Sequence, residues 1–470
     1  MINDYFVVQI RGNLPYEPTP EQENALRGLA DFLLDSSHEG LCVMRGFAGT
    51  GKTSLVGALV QTLDQLAQKV VLLAPTGRAA KVFSLYARHP AYTIHKKIYR
   101  QRTFSNEPTN FTLNDNLHQH TLFIVDEASM IGSDGLSGNA FGSGCLLDDL
   151  VQYVYSGVGC RLLLMGDTAQ LPPVGEEESP ALSTDILGGY GLELTEIALQ
   201  QVVRQAADSG ILWNATLLRQ CLEQDLCFQA PSLRLKGFAD IRIVPGSELI
   251  DTLTACYDRD GLEDTLVVCR SNKRANLYNQ GIRNTILYRE DELNSGDRIL
   301  IAKNNYYWTQ GNKQVEFIAN GDMATVRRVR RTRELYGFRF ADVLLTFADY
   351  DDLELEATLL LDTLQADAPS LPRTEADRLF YTILEDYADV PTKRERMQRM
   401  KADRHYNALQ AKYAYAVTCH KAQGGQWKNV FIDQGYLPAD GYTPDYYRWL
   451  YTAFTRATGT LYLVNYPKEE

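Results

Sequence analysis

The chain has 470 residues, 45% hydrophobic and 23% charged, a balance that excludes disorder over most of its length and leaves room for about three domains at roughly 150 residues each. Asp and Glu outnumber Lys and Arg by 59 to 47, and the net charge of -12 argues against coating nucleic acid or membrane by bulk charge, while still allowing a narrow basic channel. Eight cysteines (Cys42, Cys145, Cys160, Cys221, Cys227, Cys256, Cys269, Cys419) form no C-x-x-C pair, which fits reduced thiols in a cytoplasmic protein better than disulfides or a zinc site.

Residues 1–14 lack the basic head and apolar core of a secretory leader, and no apolar run reaches the ~18 residues of a membrane span. Thr19-Pro20-Glu21-Gln22 opens a helix, in which Thr19 reads as a cap and the Gln22 amide as a possible reader of an adenine edge. Runs 41–44, 70–74, 122–125 and 161–165 are continuously apolar, as expected of strands buried on both faces. Between the first two, Leu55, Ala58, Leu59, Leu63 and Leu66 recur at helical spacing over 54–69, giving a βαβ unit of a parallel sheet. Segment 101–120 is polar with isolated Phe104 and Phe111, and 132–144 is rich in Gly and Ser. A second strand set follows at 265–269, 298–302, 413–418, 430–433 and 461–464. Within it, 323–361 alternates apolar and polar residues around Arg327, Arg328, Arg330, Arg331 and Arg333, a cluster that also reads as a solvated strand edge. Segment 366–411 is charged and helix-prone, interrupted by Pro369, Pro372 and Pro391. The expected fold class is α/β: two tandem parallel-sheet domains, the second holding an antiparallel barrel and one or two helices.

The strongest local signal is Gly46-Phe47-Ala48-Gly49-Thr50-Gly51-Lys52-Thr53, a complete G-x-x-x-x-G-K-[ST] that follows a buried strand and opens a helix. Such a loop turns backbone N–H groups onto phosphate at a helix N-terminus. The expected ligands are ATP and Mg²⁺. Gly46, Ala48, Gly49, Thr50, Gly51, Lys52, Thr53 and Ser54 are the cradle, Lys52 reaches the β and γ phosphates, and the Thr53 hydroxyl meets the metal. The run 122–125 ends in Asp126 and Glu127, placing a second metal-side carboxylate and a group to polarise the attacking water. The next strand ends in Gly166-Asp167-Thr168-Ala169-Gln170, where the Gln170 amide can report the γ-phosphate.

With these motifs in place the chain resembles a superfamily 1B DNA helicase of the RecD-like and Dda-like branch. Ala74-Pro75-Thr76-Gly77-Arg78-Ala79-Ala80 and Thr93-Ile94-His95 resemble the motifs that touch single-stranded DNA. Segment 194–205 resembles the one supplying an arginine, here Arg204, and Ile318-Ala319-Asn320-Gly321-Asp322 resembles the approach to the inserted barrel. Val417-Thr418-Cys419-His420-Lys421-Ala422-Gln423-Gly424 and Tyr451-Thr452-Ala453-Phe454-Thr455-Arg456-Ala457 resemble the motif joining DNA to the second domain and the final arginine-finger motif.

The resemblance implies two RecA-like domains, a β-hairpin inserted in the first and an SH3-like barrel inserted in the second. The expected boundaries are 1–200 for the first domain, with the hairpin at about 99–120; 201–322 and 412–470 for the second; and 323–411 for the barrel with its helical extension. It implies catalytic roles for Lys52, Glu127, Gln170, Arg204 and Arg456, and DNA contacts by Pro75, Thr76, His95, Thr418 and His420. Gly425 and Gln426 fall in the nucleotide-binding region, with Gln426 where many relatives carry a ribose-binding Glu. Phe104 and Phe111 are candidates for the strand-separating hairpin, either stacking on the last base pair or packing the hairpin onto its own domain. The implied activity is ATP-dependent 5′→3′ translocation on single-stranded DNA with unwinding at duplex junctions, hydrolysis being coupled to closure of the cleft between the two domains. The expected partners are these DNAs, with accessory replication or recombination proteins, and a monomer with no membrane is favoured. The rival readings are a motor subunit of a recombination nuclease, a P-loop ATPase switch that never unwinds, and a small-metabolite kinase.

Overall fold

The computed structural model describes residues 2–35, 39–101, 111–133, 142–202, 208–312, 315, 317–438 and 441–466. The chain divides into two compact units, Met1–Phe238 with Gln423–Gly425 and Pro438–Thr455, and Ala239–Ala422 with Gln426–Leu437 and Arg456–Glu470.

The first unit holds β1 (Gly40–Gly46), β2 (Lys69–Ala74), β3 (Ala91–Thr93), β4 (Tyr99–Gln101), β5 (Phe111–Leu113), β6 (Thr121–Val125), β7 (Arg161–Gly166) and β8 (Glu193–Leu199). Six of them form one parallel sheet in the order β3-β2-β6-β7-β1-β8. Its central strands are buried along almost their whole length, which is why their sequences run continuously apolar instead of alternating. Helix Lys52–Gln65 lays Leu55, Val56, Leu59, Val60 and Leu63 into this core. It ends one residue before Leu66, which is exposed at the C-cap instead of continuing the apolar stripe. Strands β3 and β8 were not anticipated: the three residues of β3 carry no period, and β8 is partly exposed at the sheet edge. β4 and β5 pair antiparallel, Tyr99 with Leu113 and Gln101 with Phe111, as a two-stranded hairpin.

The second unit holds β9 (Ile241–Val244), β10 (Thr265–Cys269), β11 (Arg298–Ile301), β12 (Met323–Leu335), β13 (Phe338–Phe347), β14 (Leu353–Leu360), β15 (Leu409–Tyr413), β16 (Ala416–Thr418), β17 (Trp427–Asp433) and β18 (Ala457–Val464). β16-β10-β17-β18-β9 is a parallel sheet, and β11-β12-β13-β14-β15 is a closed barrel. Two expectations change here. The apolar run at 298–302 is a barrel strand and not part of the parallel sheet, and the run at 413–418 is divided between the two by Ala414 and Tyr415. The cause is edge pairing: β12, β13 and β14 alone would leave two open edges, and β11 and β15 cover both. Helices Arg373–Glu385 and Lys393–Lys401 follow β14 and pack on Phe338 and Phe340.

The contact division also falls elsewhere than at residue 200. Helix Gly210–Glu223 packs with helix Pro444–Phe454, and both lie in the first unit. The second helix is buried nearly all round, from Tyr446 through Phe454. Among the described residues no helix is long and apolar enough to cross a membrane, and all eight cysteines are free thiols.

Asp297, directly before β11, is fully buried and accepts from Arg283 Nε and Nη2, both at 3.0 Å, from Arg289 Nη1 at 2.6 Å, from Tyr415 Oη at 2.9 Å and from the Asn294 amide at 2.7 Å. It ties the first barrel strand to the segment between barrel and sheet. Asp297→Ala strands two guanidinium groups, one of them fully buried, without their carboxylate, and should cost about 3–5 kcal/mol in urea unfolding. A loss below about 1 kcal/mol would show that the network contributes little.

Candidate nucleotide site and DNA-contact residues

The phosphate loop leaves β1 at Gly46 and turns into helix Lys52–Gln65. Gly51 sits at φ +84° and its added Cβ would lie 2.6 Å from Gln22 Nε2 and 2.7 Å from Tyr16 Oη, so the turn requires glycine. Gly46 is equally constrained, because a Cβ there would meet Lys52 Cγ at 2.8 Å. The helix carries no side-chain cap at Gly51, so its first-turn N–H groups are not taken up by a capping side chain. Lys52 Nζ donates to the carbonyls of Gly46 and of Phe47, the latter at 3.1 Å.

Gln22 also has a part in shaping the loop. It completes a capping box with Thr19, its Oε1 accepting from the Thr19 amide at 3.1 Å, and its Nε2 donates to the Thr50 carbonyl at 2.9 Å. The buried amide therefore braces the loop from behind.

The strand order sets β6 beside β7 and β7 beside β1, so their C-terminal ends are neighbours. Asp126 follows β6, and its Oδ1 accepts from the Glu127 amide at 2.8 Å. Glu127 adopts φ +53°, a left-handed conformation that costs a non-glycine residue energy and is typical of functional sites. Burial first, then the charge of Glu127, push the Asp126 carboxyl above the usual carboxylate range. Asp167, after β7, is buried and also shifted upward by desolvation, offset partly by Lys52 and by a hydrogen bond from Tyr451. Gln170 is 7% exposed, and its Oε1 has no hydrogen-bond partner among the described residues. An uncapped helix N-terminus, desolvated carboxylates, the Thr53 hydroxyl and an orphaned buried amide oxygen together fit a nucleotide with a divalent metal, whose charge would relieve the crowding at Asp126 and Glu127.

Several contributors were not picked out from sequence. Tyr451 Oη accepts from the Ala48 amide at 2.9 Å and donates to Asp167 Oδ2 at 2.6 Å. Thr452 Oγ1 accepts from the Leu171 amide at 2.9 Å, while Gln423 Nε2 donates to the Leu171 carbonyl at 2.8 Å. The Arg219 guanidinium lies over the Phe47 ring, 4.2 Å from its centroid, and donates to the Gln200 carbonyl at 3.1 Å. Tyr451, Asp167 and Gln423 stand inside motifs that were quoted, but only the folded contacts show what their side chains touch.

Of the DNA-contact candidates, Pro75 and Thr76 lie after β2, and Thr76 Oγ1 caps the next helix by accepting from Ala79 N at 3.2 Å. Gly424, at φ +72°, approaches so closely that a Cβ would lie 3.1 Å from that hydroxyl oxygen. His95 follows β3, and desolvation pushes its pKa down to about 4 against a smaller opposing pull from Asp149, so it is neutral near pH 7. The hairpin is fixed at its base: Tyr99 Oη donates to Asp149 Oδ2 at 2.6 Å, and the Gly142 amide donates to the Phe111 carbonyl at 2.9 Å. Phe111 is 8% exposed, so of its two alternatives the packed one is seen. Phe104 and Arg204 lie outside the described residues. Gly425 is buried in the first unit. In the second unit, Thr418 ends β16 half-buried, His420 and Gln426 are exposed, and Arg456 is buried with its carbonyl accepting from Trp427 N at 2.9 Å.

The family described as AAA domain matches residues 17–221, which contain the phosphate loop, Asp126, Glu127 and Gln170. The family described as UvrD-like helicase C-terminal domain matches residues 413–464, which contain Thr418, His420 and Arg456. The chain is 22% identical to protein R530 of Acanthamoeba polyphaga mimivirus over 94% of its own length and 98% of the relative's. It is 28% identical to the ATP-dependent RecD2 DNA helicase of Deinococcus radiodurans over 69% of its own length, and spans 41% of that protein. Among solved structures, Pif1 helicase from Bacteroides in complex with ADP-AlF3 and single-stranded DNA aligns over 97% of this chain and 94% of that one, with 14% identity and a TM-score of 0.47. The phosphate loop falls in the first of these matches and the arginine-bearing motif in the second, so the chain is similar to an AAA domain in its first part and to a UvrD-like helicase C-terminal domain in its last.

Proposed function

We propose that this chain is an ATP- and Mg²⁺-dependent motor that translocates 5′→3′ along single-stranded DNA and separates duplex at a junction, acting on its own. The observation that carries the reading is the adjacency of three strand ends, β6, β7 and β1, which gathers Asp126 and Glu127, Gln170 and the phosphate loop at one sheet edge. When bound, ATP supplies the phosphoanhydride whose γ-phosphoryl passes to water. Thr53 and Asp126 hold the metal, Lys52 and the loop amides hold the phosphates, and Glu127 orients the water and takes its proton. Gln170 registers the γ-phosphate. Arg204 and Arg456 add positive charge where it develops in the transition state, and hydrolysis is thereby coupled to closure of the two RecA-like domains. Pro75, Thr76, His95, Thr418 and His420 track the DNA, His95 as a neutral hydrogen-bonding ring. The RecD2 relative, a DNA helicase by name, supports the assignment of DNA as the track.

Lys52→Ala should remove most ATP turnover and spare single-stranded DNA binding. Glu127→Gln should still bind ATP and hydrolyse it slowly, since the metal ligand stays and only water activation is lost. Normal turnover by Glu127→Gln in a single-turnover assay would remove it from that role.

The direct test of the motor is ATP turnover with and without single-stranded DNA across a salt series. Turnover should rise with DNA, and contact with ~5 phosphates should give a log–log slope of affinity on salt near roughly -3.5. A rate indifferent to DNA would leave a nucleotide switch.

The hairpin of β4 and β5 is assigned the separation of strands. Replacing 103–112 by a short Gly/Ser turn should keep DNA-stimulated turnover and abolish unwinding of a forked duplex. Unwinding at the original yield per ATP would dismiss the hairpin as a wedge.

A further inference from the structure

Helix Pro444–Phe454 puts two consecutive side chains onto the nucleotide site of the first unit. Tyr451 is 1% exposed, and a buried phenol must find partners for its hydroxyl. Both partners it finds belong to that site: it accepts from the Ala48 amide, inside the phosphate loop, and donates to the Asp167 carboxylate at the end of β7. Thr452, the next residue, accepts from the Leu171 amide, and the Leu171 carbonyl is taken by Gln423. Segment 167–171 is thus fastened at both ends by side chains from distant parts of the sequence. Gln170 lies between the fastenings with its buried Oε1 unpartnered among the described residues. Two residues beyond the helix the chain reaches Arg456.

We infer that Tyr451 is a positioning residue for ATP hydrolysis: its hydroxyl fastens the Ala48 amide of the phosphate loop and the Asp167 carboxylate to the helix that leads into Arg456. Through it, the phosphate loop and the segment after β7 keep one register within the first unit. This rests on the reading of the site as an ATPase. A hydroxyl that served packing alone would be satisfied by any carbonyl and would leave the loop amide free. Here a single phenol oxygen spends both its donor and its acceptor capacity on two separate pieces of the phosphate machinery. The Asp167 bond is charge-assisted and short, which makes it the stronger of the two.

Tyr451→Phe keeps the ring and removes only the oxygen. In the nucleotide-free full-length chain, amide hydrogen exchange should quicken by about 10-fold in peptides covering 46–50 and 167–171, the size expected from losing a hydrogen bond to a charged group, and stay unchanged in β2 and β18. With ATP and single-stranded DNA, kcat should fall by about 10-fold or more while KM for ATP stays within about twofold, because the remaining loop amides still hold the phosphates. Thr452→Val should quicken exchange at 167–171 alone and lower kcat without touching 46–50. Unchanged exchange over 46–50 in Tyr451→Phe would overturn the inference. Local loosening with an unchanged kcat would overturn it too, by reducing Tyr451 to packing. A general loss of protection with kcat and KM both degraded would mean a structural role only. If the wild-type chain itself turns over no ATP, the proposed function fails together with the hydrolytic role, while the exchange result separately reports whether the fastening exists.

Discussion

Parallel pairing of β6, β7 and β1 forces three chain segments, far apart in sequence, to emerge side by side at one edge of the sheet. The phosphate loop, Asp126 with Glu127, and Gln170 each follow one of these strand ends. A parallel sheet needs crossovers on its faces, and these cover its central strands, so the edge is the one place where polar side chains can gather without crossing the core. The phosphate loop exploits this. Gly51 lets the backbone curl where a side chain would collide with Gln22 and Tyr16, and the helix starts without a capping side chain.

Gathering acids at such an edge has a cost, the desolvation of their charged forms. Asp126 and Asp167 are both shifted upward by desolvation, and Asp126 also by its neighbour Glu127. What offsets the burden is local: the Glu127 amide on Asp126, the Tyr451 hydroxyl and the Ala169 amide on Asp167, and the Lys52 ammonium. A divalent cation would supply the rest. The same rule governs Asp297 in the second unit, where a fully buried carboxylate persists because two guanidinium groups, a phenol and a backbone amide surround it. One carboxylate is ringed by partners of its own chain; the others keep a desolvation that these local partners only partly offset.

The closed barrel follows from edge strands and not from the texture of its own segment. β12 carries the arginines; Arg333 pairs with Asp342 of the adjacent β13 and Arg330 reaches Glu356 on β14, while Arg328 and Arg331 have no ion pair among the described residues. The strand is thus a partly neutralised basic surface, narrower than the raw cluster suggested.

Wherever a residue's placement depends on its own strand and the next turn, the sequence was sufficient. The continuous apolar runs located β1, β2, β6 and β7, because burial on both faces leaves no alternation to misread, and the phosphate loop and the Asp126–Glu127 pair follow from what comes directly after a buried strand. Tertiary structure alone decided which strands share a sheet. The apolar run at 298–302 looks like any parallel strand, and only the open edge of β12 draws it into the barrel. It also decided what Gln22 and Tyr451 touch. The Gln22 amide meets Thr19 and Thr50, contacts its position in the sequence did not show; Tyr451 lies on a helix buried nearly all round, whose composition cannot say which face meets polar groups. Hydrophobic pattern reports only that a residue leaves water. Which hydrogen-bonding partner it meets there is set by chain crossings hundreds of residues apart, such as the one that brings Tyr451 to Ala48 and Asp167.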